Sequence, residues 1–84
     1  MSFQVNLKRS ANKELAALPV NVRDQIIPIL LGLAENPCPR GCIKLKGREG
    51  YRVRSGDYRV LYSVDHSAST VTILAIGHRR EIYR

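Results

Sequence analysis

Arg52 and Arg54 stand two residues apart, Arg59 follows shortly after, and Lys44, Lys46, Arg79 and Arg80 flank the run on either side. In an extended chain the two-residue period puts Arg52 and Arg54 on one face, and a following strand that begins near Arg59 adds a third guanidinium to it. Like charges this close repel, so the arrangement points to an anion that compensates it. A planar guanidinium fork holds two phosphate oxygens at once, which makes phosphate the expected ligand. The alternative is a solvent-facing sheet side kept soluble by arginine.

Two other residue types add chemistry to this cationic set. Tyr51, Tyr58, Tyr62 and Tyr83 are interleaved with it, and an exposed ring beside a guanidinium can stack on an unpaired base. Tyr58 and Tyr62 share strand parity, so at least one is expected to pack inward, leaving Tyr83 and Tyr51 for ligand contact. His78 directly precedes Arg79 and has an ordinary pKa near neutrality, as a proton carrier needs. A plain surface histidine is the competing reading of His78, and His66 reads as loop.

The elements that must position these residues are legible in the hydropathy pattern. Phe3, Val5 and Leu7 alternate with polar residues, as in a strand with one apolar face. Ser10 is a candidate cap for a short helix carrying Leu15 and Leu18, which Pro19 stops. Asn21 is a candidate cap for a longer helix, with Val22, Ile26, Ile29, Leu30, Leu33 and Ala34 at helical spacing up to Asn36-Pro37. Pro28 inside it predicts a kink or break. A loop rich in Pro, Gly and charge follows, interrupted by a short strand around residues 42–46 that carries Lys44 and Lys46. Tyr51 to Arg54 and Tyr58 to Val64 form a hairpin around Ser55-Gly56-Asp57, and Thr70 to Ile76 adds a strand that Gly77 ends. The expected fold is α+β, a small antiparallel-meander sheet packed on two N-terminal helices in the order β-α-α-β-β-β, within a single domain over residues 1–84.

Composition narrows the partner. Lys plus Arg number 14 against 7 Asp plus Glu, a formal charge of +7 on 84 residues, and such an excess favours a polyanion through counterion release. Residues 1–36 hold four basic and three acidic side chains, whereas residues 37–84 hold ten and four. The excess is therefore local, as a nucleic-acid-binding face requires. The sequence has neither a run of apolar residues long enough to span a bilayer nor a signal-peptide pattern, which predicts a cytoplasmic protein with no membrane partner. The two cysteines, Cys38 and Cys42, are too few for a zinc site and are expected to be a reduced pair in a loop. No metal and no cofactor are expected.

The segments Lys44-Leu45-Lys46-Gly47, Tyr51-Arg52-Val53-Arg54-Ser55-Gly56-Asp57-Tyr58-Arg59-Val60 and Gly77-His78-Arg79-Arg80-Glu81-Ile82-Tyr83 together resemble the RelE/ParE toxin superfamily, and its RelE branch in particular. The similarity runs over essentially the whole chain. It implies a toxin of a type II toxin–antitoxin system that cleaves mRNA in the ribosomal A site without a metal. In that chemistry the RNA's own 2′-hydroxyl attacks and leaves a cyclic phosphate. By the resemblance, Arg59 and Arg79 stabilise the phosphate and Tyr83 stacks on or orients the base. Lys44 and Lys46 hold messenger or ribosomal RNA, and Arg52, Arg54 and Arg80 extend the RNA-binding surface. Well-studied members carry lysines where Arg52 and Arg54 stand, one of them a proposed general base, and arginine almost never gives up its proton. Here the two are expected to be clamps, which leaves His78, Tyr83 and Lys46 as proton carriers. The resemblance also implies a cognate, RelB-like antitoxin whose acidic or amphipathic segment covers the cationic face. The competing reading is a binding module on the same fold, either a ParE-like gyrase inhibitor or a degenerate toxin that has lost cleavage. Arg59, Arg79 and Tyr83 as a set favour the RNase.

Overall fold

A computed structural model describes residues 2–82. In chain order the elements are β1 (Gln4–Leu7), α1 (Arg9–Ala17), α2 (Val20–Glu35), β2 (Ile43–Lys44), β3 (Tyr51–Ser55), β4 (Tyr58–Asp65) and β5 (Thr70–His78). They form one five-stranded sheet in the order β1-β5-β4-β3-β2. Strands β2 to β5 are the expected antiparallel meander. The sheet is nevertheless mixed, because β1 lies parallel to β5, with Val5 opposite Val71 and Leu7 opposite Ile73. The helices carry the chain from β1 to β2 at the opposite edge of the sheet, and the meander then brings it back strand by strand until β5 lies beside β1.

The helices cover one face only. Ala11 of α1 and Ile26, Leu30 and Leu33 of α2 pack with Val53, Val60, Tyr62, Val71, Ile73 and Ile76 of the sheet to make the core. Neither expected cap is used: Lys8 and Pro19 occupy the cap positions, without side-chain hydrogen bonds. Pro19 both ends the first helix and opens the second, so Asn21 is already inside α2. Pro28 does not break α2, which runs unbroken from Val20 to Glu35. Its side chain is solvent-exposed, where water can satisfy the carbonyl that its missing N–H leaves free.

Two details decide which side chains face where. The β4–β5 register shifts at Leu61/Tyr62, so Leu61 pairs with Ala75 but Tyr62 with Ile73. The extra residue, Leu74, is a β-bulge that reverses the inside–outside alternation along β5. Val71 and Ile73 face the helices before it, and Ile76 and His78 do so after it. β5 also runs through Gly77 to His78 and does not stop at Ile76. Beyond the end of β1, the Ile76 N–H on the open edge donates to Glu14 Oε1 of α1 at 3.0 Å.

Candidate nucleic-acid interface

The pleat separates the functional candidates into two sets. On β3, Tyr51 and Val53 point to the helices, whereas Arg52 and Arg54 point to the other side. Arg54 lies opposite Arg59 in the β3–β4 register, and Arg52 lies opposite Leu61. On the next strand Arg59 faces Gly77, which presents no side chain. The three arginines therefore share the uncovered face of the sheet, as the spacing predicted.

Arg59 is the most enclosed of them, with only 8% of its surface exposed. One guanidinium nitrogen donates to the Gly56 carbonyl at 3.1 Å and to the Tyr58 carbonyl at 3.3 Å, while its Nε has no hydrogen-bond partner. Among the described residues it has no carboxylate partner. The guanidinium is thus fixed by neutral carbonyls and carries an unused donor. Such a buried group is costly unless an anion completes it.

Arg79 reaches the same hairpin turn from the end of the neighbouring strand β5, where His78 pairs with Tyr58. Its N–H donates to the Asp57 carbonyl at 2.8 Å, and its Nε lies 3.6 Å from the Asp57 carboxylate. Arg59 and Arg79, far apart in sequence, are thereby both tied to the Gly56–Asp57 turn. Asp57 had been legible only as a turn residue, since nothing local signals its partner more than twenty positions away.

Lys44, Lys46, Arg48 and Arg52 surround a groove of ≈ 380 Å³ whose apolar lining is Ile43, Leu45 and Leu61. It lies on the arginine side, since Ile43 pairs with Arg52 and Arg52 with Leu61. Lysine rims over an apolar floor suit a nucleic-acid backbone carrying unpaired bases. Arg48 and Leu61 join the site without having been singled out: one stands in a charged loop, and the other reads as core by composition.

His78 is the candidate that the fold separates from the arginines. It pairs with Tyr58, with the rings 5.4 Å apart and nearly perpendicular, on the helix side of the sheet. Its Nδ1 accepts a hydrogen bond from the Arg80 N–H at 3.1 Å, so the ring braces the turn that carries Arg79 and Arg80. Arg80 itself is exposed. Tyr51, expected at the ligand, instead stacks on Tyr62 with ring centroids 5.9 Å apart and packs against the core. Burial, and secondarily the nearby Tyr51, push the Tyr62 hydroxyl up to about 12. Tyr83 lies outside the described residues.

The cysteines are not the expected reduced pair: Cys38 and Cys42 are joined in a disulfide. The Cys42 N–H donates to the Pro39 carbonyl at 2.9 Å, a turn that brings the two Cα atoms to 5.3 Å, within bonding range. Among the described residues no three His, Cys, Asp or Glu side chains gather as a metal site, and no helix is long and apolar enough to cross a membrane.

Residues 5–83 match the family described as ParE toxin of the type II toxin–antitoxin system. The chain is 31% identical over its full length to toxin RelG of Mycobacterium tuberculosis, covering 99% of that protein. Among solved structures, it superposes on the RelE–RelB complex of Pyrococcus horikoshii with a TM-score of 0.82 at 32% identity, over 96% of this chain and 99% of that one. The RelBE2 toxin–antitoxin complex of M. tuberculosis gives a TM-score of 0.83 at 27% identity, over 94% of this chain and 100% of that one. The isolated RelE toxin of Escherichia coli gives 0.81 at 25% identity, over 92% of this chain and 84% of that one.

Proposed function

Because the chain belongs to the RelE/ParE superfamily of type II toxin–antitoxin toxins, we propose that it is a ribosome-dependent endoribonuclease that cleaves mRNA by metal-independent attack of the 2′-hydroxyl. The observation that carries this reading is Arg59, buried on the open sheet face beside Arg52 and Arg54 with no carboxylate partner among the described residues. A guanidinium fixed there by backbone carbonyls needs no rearrangement of its own side chain when charge develops on a phosphorane. One such donor is worth roughly 10²–10³ in rate.

Arg59 and Arg79 neutralise the phosphorane, and Arg52 and Arg54 clamp the strand on either side of the scissile phosphate. Lys44, Lys46 and Arg80 hold the flanking messenger or ribosomal RNA. The 2′-hydroxyl must lose a proton and the 5′-oxygen must gain one. Lys46 stands on the arginine side for one of these tasks, and Tyr83 is the second candidate. His78, on the other side of the sheet, acts on the site by bracing the Arg79–Arg80 turn. The protein is held inactive by a cognate RelB-like antitoxin; the toxin–antitoxin complexes among its structural neighbours support such a partner.

A gyrase-inhibiting toxin is the second reading, favoured by the ParE description of the matching family. Induction of the wild type, Arg59→Ala and Arg79→Ala in a bacterial host, with growth followed alongside primer extension on a translated mRNA, separates the two. The RNase reading expects arrest with cuts inside translated codons, both lost in the variants. Arrest without cuts would transfer the protein to the gyrase class, and no arrest would leave a degenerate toxin.

A further inference from the structure

The turn closed by Cys38 and Cys42 borders the arginine site. Gly41, inside the turn, lines a small cavity together with Ile43, Arg52, Arg54 and Arg59. The cavity measures ≈ 30 Å³, room for a water molecule or so but not for a phosphodiester group. Arg59, which lines this cavity with Gly41, is itself only 8% exposed. As the structure stands, the best-prepared cation of the site is shut away from the anion it suits.

What holds the turn there is local. Its backbone has one internal hydrogen bond, Cys42 N–H to the Pro39 carbonyl, and Gly41 takes a left-handed φ of 89°, which costs glycine little. Cys42 is half-buried and packed against the core, and it leads directly into β2. Cys38 is exposed and hangs from the end of α2, where its N–H is bonded only to the Asn36 side chain at 3.1 Å. With the S–S bond in place, Cys38 is tethered to an anchored residue and the five-residue loop has almost no freedom. With the bond cut, Cys38 to Gly41 can lift away while Cys42 stays in place.

We propose that Cys38 and Cys42 form a reversible thiol–disulfide switch, closing the turn over Arg59 when oxidised and opening the arginine pocket to RNA phosphate when reduced. The proposal rests on the reading of that pocket as a phosphate site and adds its regulation. The oxidant is a low-molecular-weight disulfide. The thiolate of exposed Cys38 attacks one of its sulfurs and expels one small thiolate, leaving a mixed disulfide. The Cys42 thiolate then attacks the Cys38 sulfur and expels the second. Two electrons pass from the protein to the small disulfide, which leaves as two thiols, taking up the two protons that the cysteines lost. A reducing cytoplasm would keep the toxin competent, and oxidation would make it latent.

The test reads access to Arg59 directly. The full-length protein is prepared oxidised with glutathione disulfide, reduced with dithiothreitol, and as the Cys38→Ser/Cys42→Ser variant, and free thiols are counted in each. Each form is treated with phenylglyoxal, and modification of each arginine is followed by mass spectrometry. In parallel, affinity for a fluorescent single-stranded DNA oligonucleotide, which lacks the 2′-hydroxyl and cannot be cleaved, is measured by anisotropy. The expected result is that Arg59 labels at least ~10-fold faster in the reduced form and in the double variant. Oligonucleotide affinity should rise in the same two forms, and the double variant should not respond to oxidant. Equal protection of Arg59 in preparations whose thiol counts are two and zero would overturn the switch, as would failure of glutathione disulfide to oxidise the pair. Gated labelling in a protein that never cuts mRNA would uphold the switch while sinking the RNase reading.

Discussion

At the scale of single residues, charge fixed by neutral groups is what distinguishes this site. Arg59 is gripped by two carbonyls, so its placement does not depend on a carboxylate that would compete with substrate. Lysine at this position would keep the charge but lose the planar fork. Arg59→Lys is therefore expected to lower mRNA cleavage by about 10²-fold or more while leaving the melting temperature near that of the wild type. Near-full activity in Arg59→Lys would show that only charge is needed there. Tyr62 is the buried polar counterpart on the other face, with an exposure of 0% and a hydroxyl that has no partner. Tyr62→Phe removes that unpaired group and should raise stability by about 1 kcal/mol in urea unfolding at neutral pH. The sign of the pH effect follows from a folded pKa of about 12 against an ordinary 10.0. Below pH 10 both states are protonated and the shift costs nothing. Between the two values the unfolded chain ionises first, so wild-type stability falls by up to ~1.4 kcal/mol per pH unit. Tyr62→Phe should lose that part of the alkaline decline, which paired unfolding curves would reveal. Arg52, Arg54 and Arg59 were readable as a shared face because strand parity is a local property. The grip of Asp57 on Arg79 and the removal of His78 to the opposite side were not, since both depend on where distant strands meet.

At the scale of elements, β4 and the hairpin it makes with β3 could be read from alternation, and β5 could be read only up to the bulge. A strand pattern with a fixed period assigns Val71, Ile73, Ala75 and Gly77 to one face. The extra residue at Leu74 instead puts Ile76 and His78 inward, and no residue in Ile73-Leu74-Ala75 announces it. The parallel pairing of β1 was hidden for a related reason: alternation identifies a strand but not its neighbour. Pro28 shows the opposite limit, where a strong local signal is overridden because the ring faces solvent on a helix whose other side is anchored by Ile26, Leu30 and Leu33. Gly50 ties elements together. Its φ is +119°, and a Cβ built on it would stand 2.7 Å from the Tyr62 carbonyl oxygen, with the Leu45 side chain 3.3 Å away. The Leu45 N–H in turn donates to the Gly50 carbonyl at 2.9 Å, which sets the loop carrying Lys46 and Arg48 against β4. A backbone carbonyl in mid-sheet cannot retreat, so Gly50→Ala combines a steric conflict with a disfavoured φ. It is expected to cost about 1–3 kcal/mol in urea unfolding. A variant as stable as the wild type would mean that this loop is not held to β4 as described.

At the scale of the whole molecule, the sheet divides the protein into a nearly neutral half that holds the core and a strongly cationic half. The helices and the inward sheet face bury the core. The outward face collects Arg52 and Arg54 of β3 and Arg59 of β4, with Lys46 and Arg48 of the preceding loop at the groove beside Arg52, drawn from a segment with ten basic against four acidic residues. Among the described residues the one ion pair is the exposed contact of Arg79 with Asp57, and an exposed pair of this kind contributes little. The carboxylates of the described residues thus do little to offset repulsion around Arg54 and Arg59, and its reach depends on salt. The molecule measures 33 × 27 × 25 Å. At 0.01 M ionic strength the screening length is about 30 Å and every cation feels every other, whereas at 0.1 M it is about 10 Å and only neighbours interact. The melting temperature of the isolated protein should therefore rise by several degrees between these two salt concentrations. Arg54→Gln removes the charge directly opposite Arg59 and should both raise the low-salt value and flatten the dependence. An acidic antitoxin segment, by supplying the missing counter-charge, should do the same to the wild type in complex. A melting temperature independent of salt in the free protein would mean that the cations are spaced too widely to repel, and with that the case for a face built to await an anion would fail.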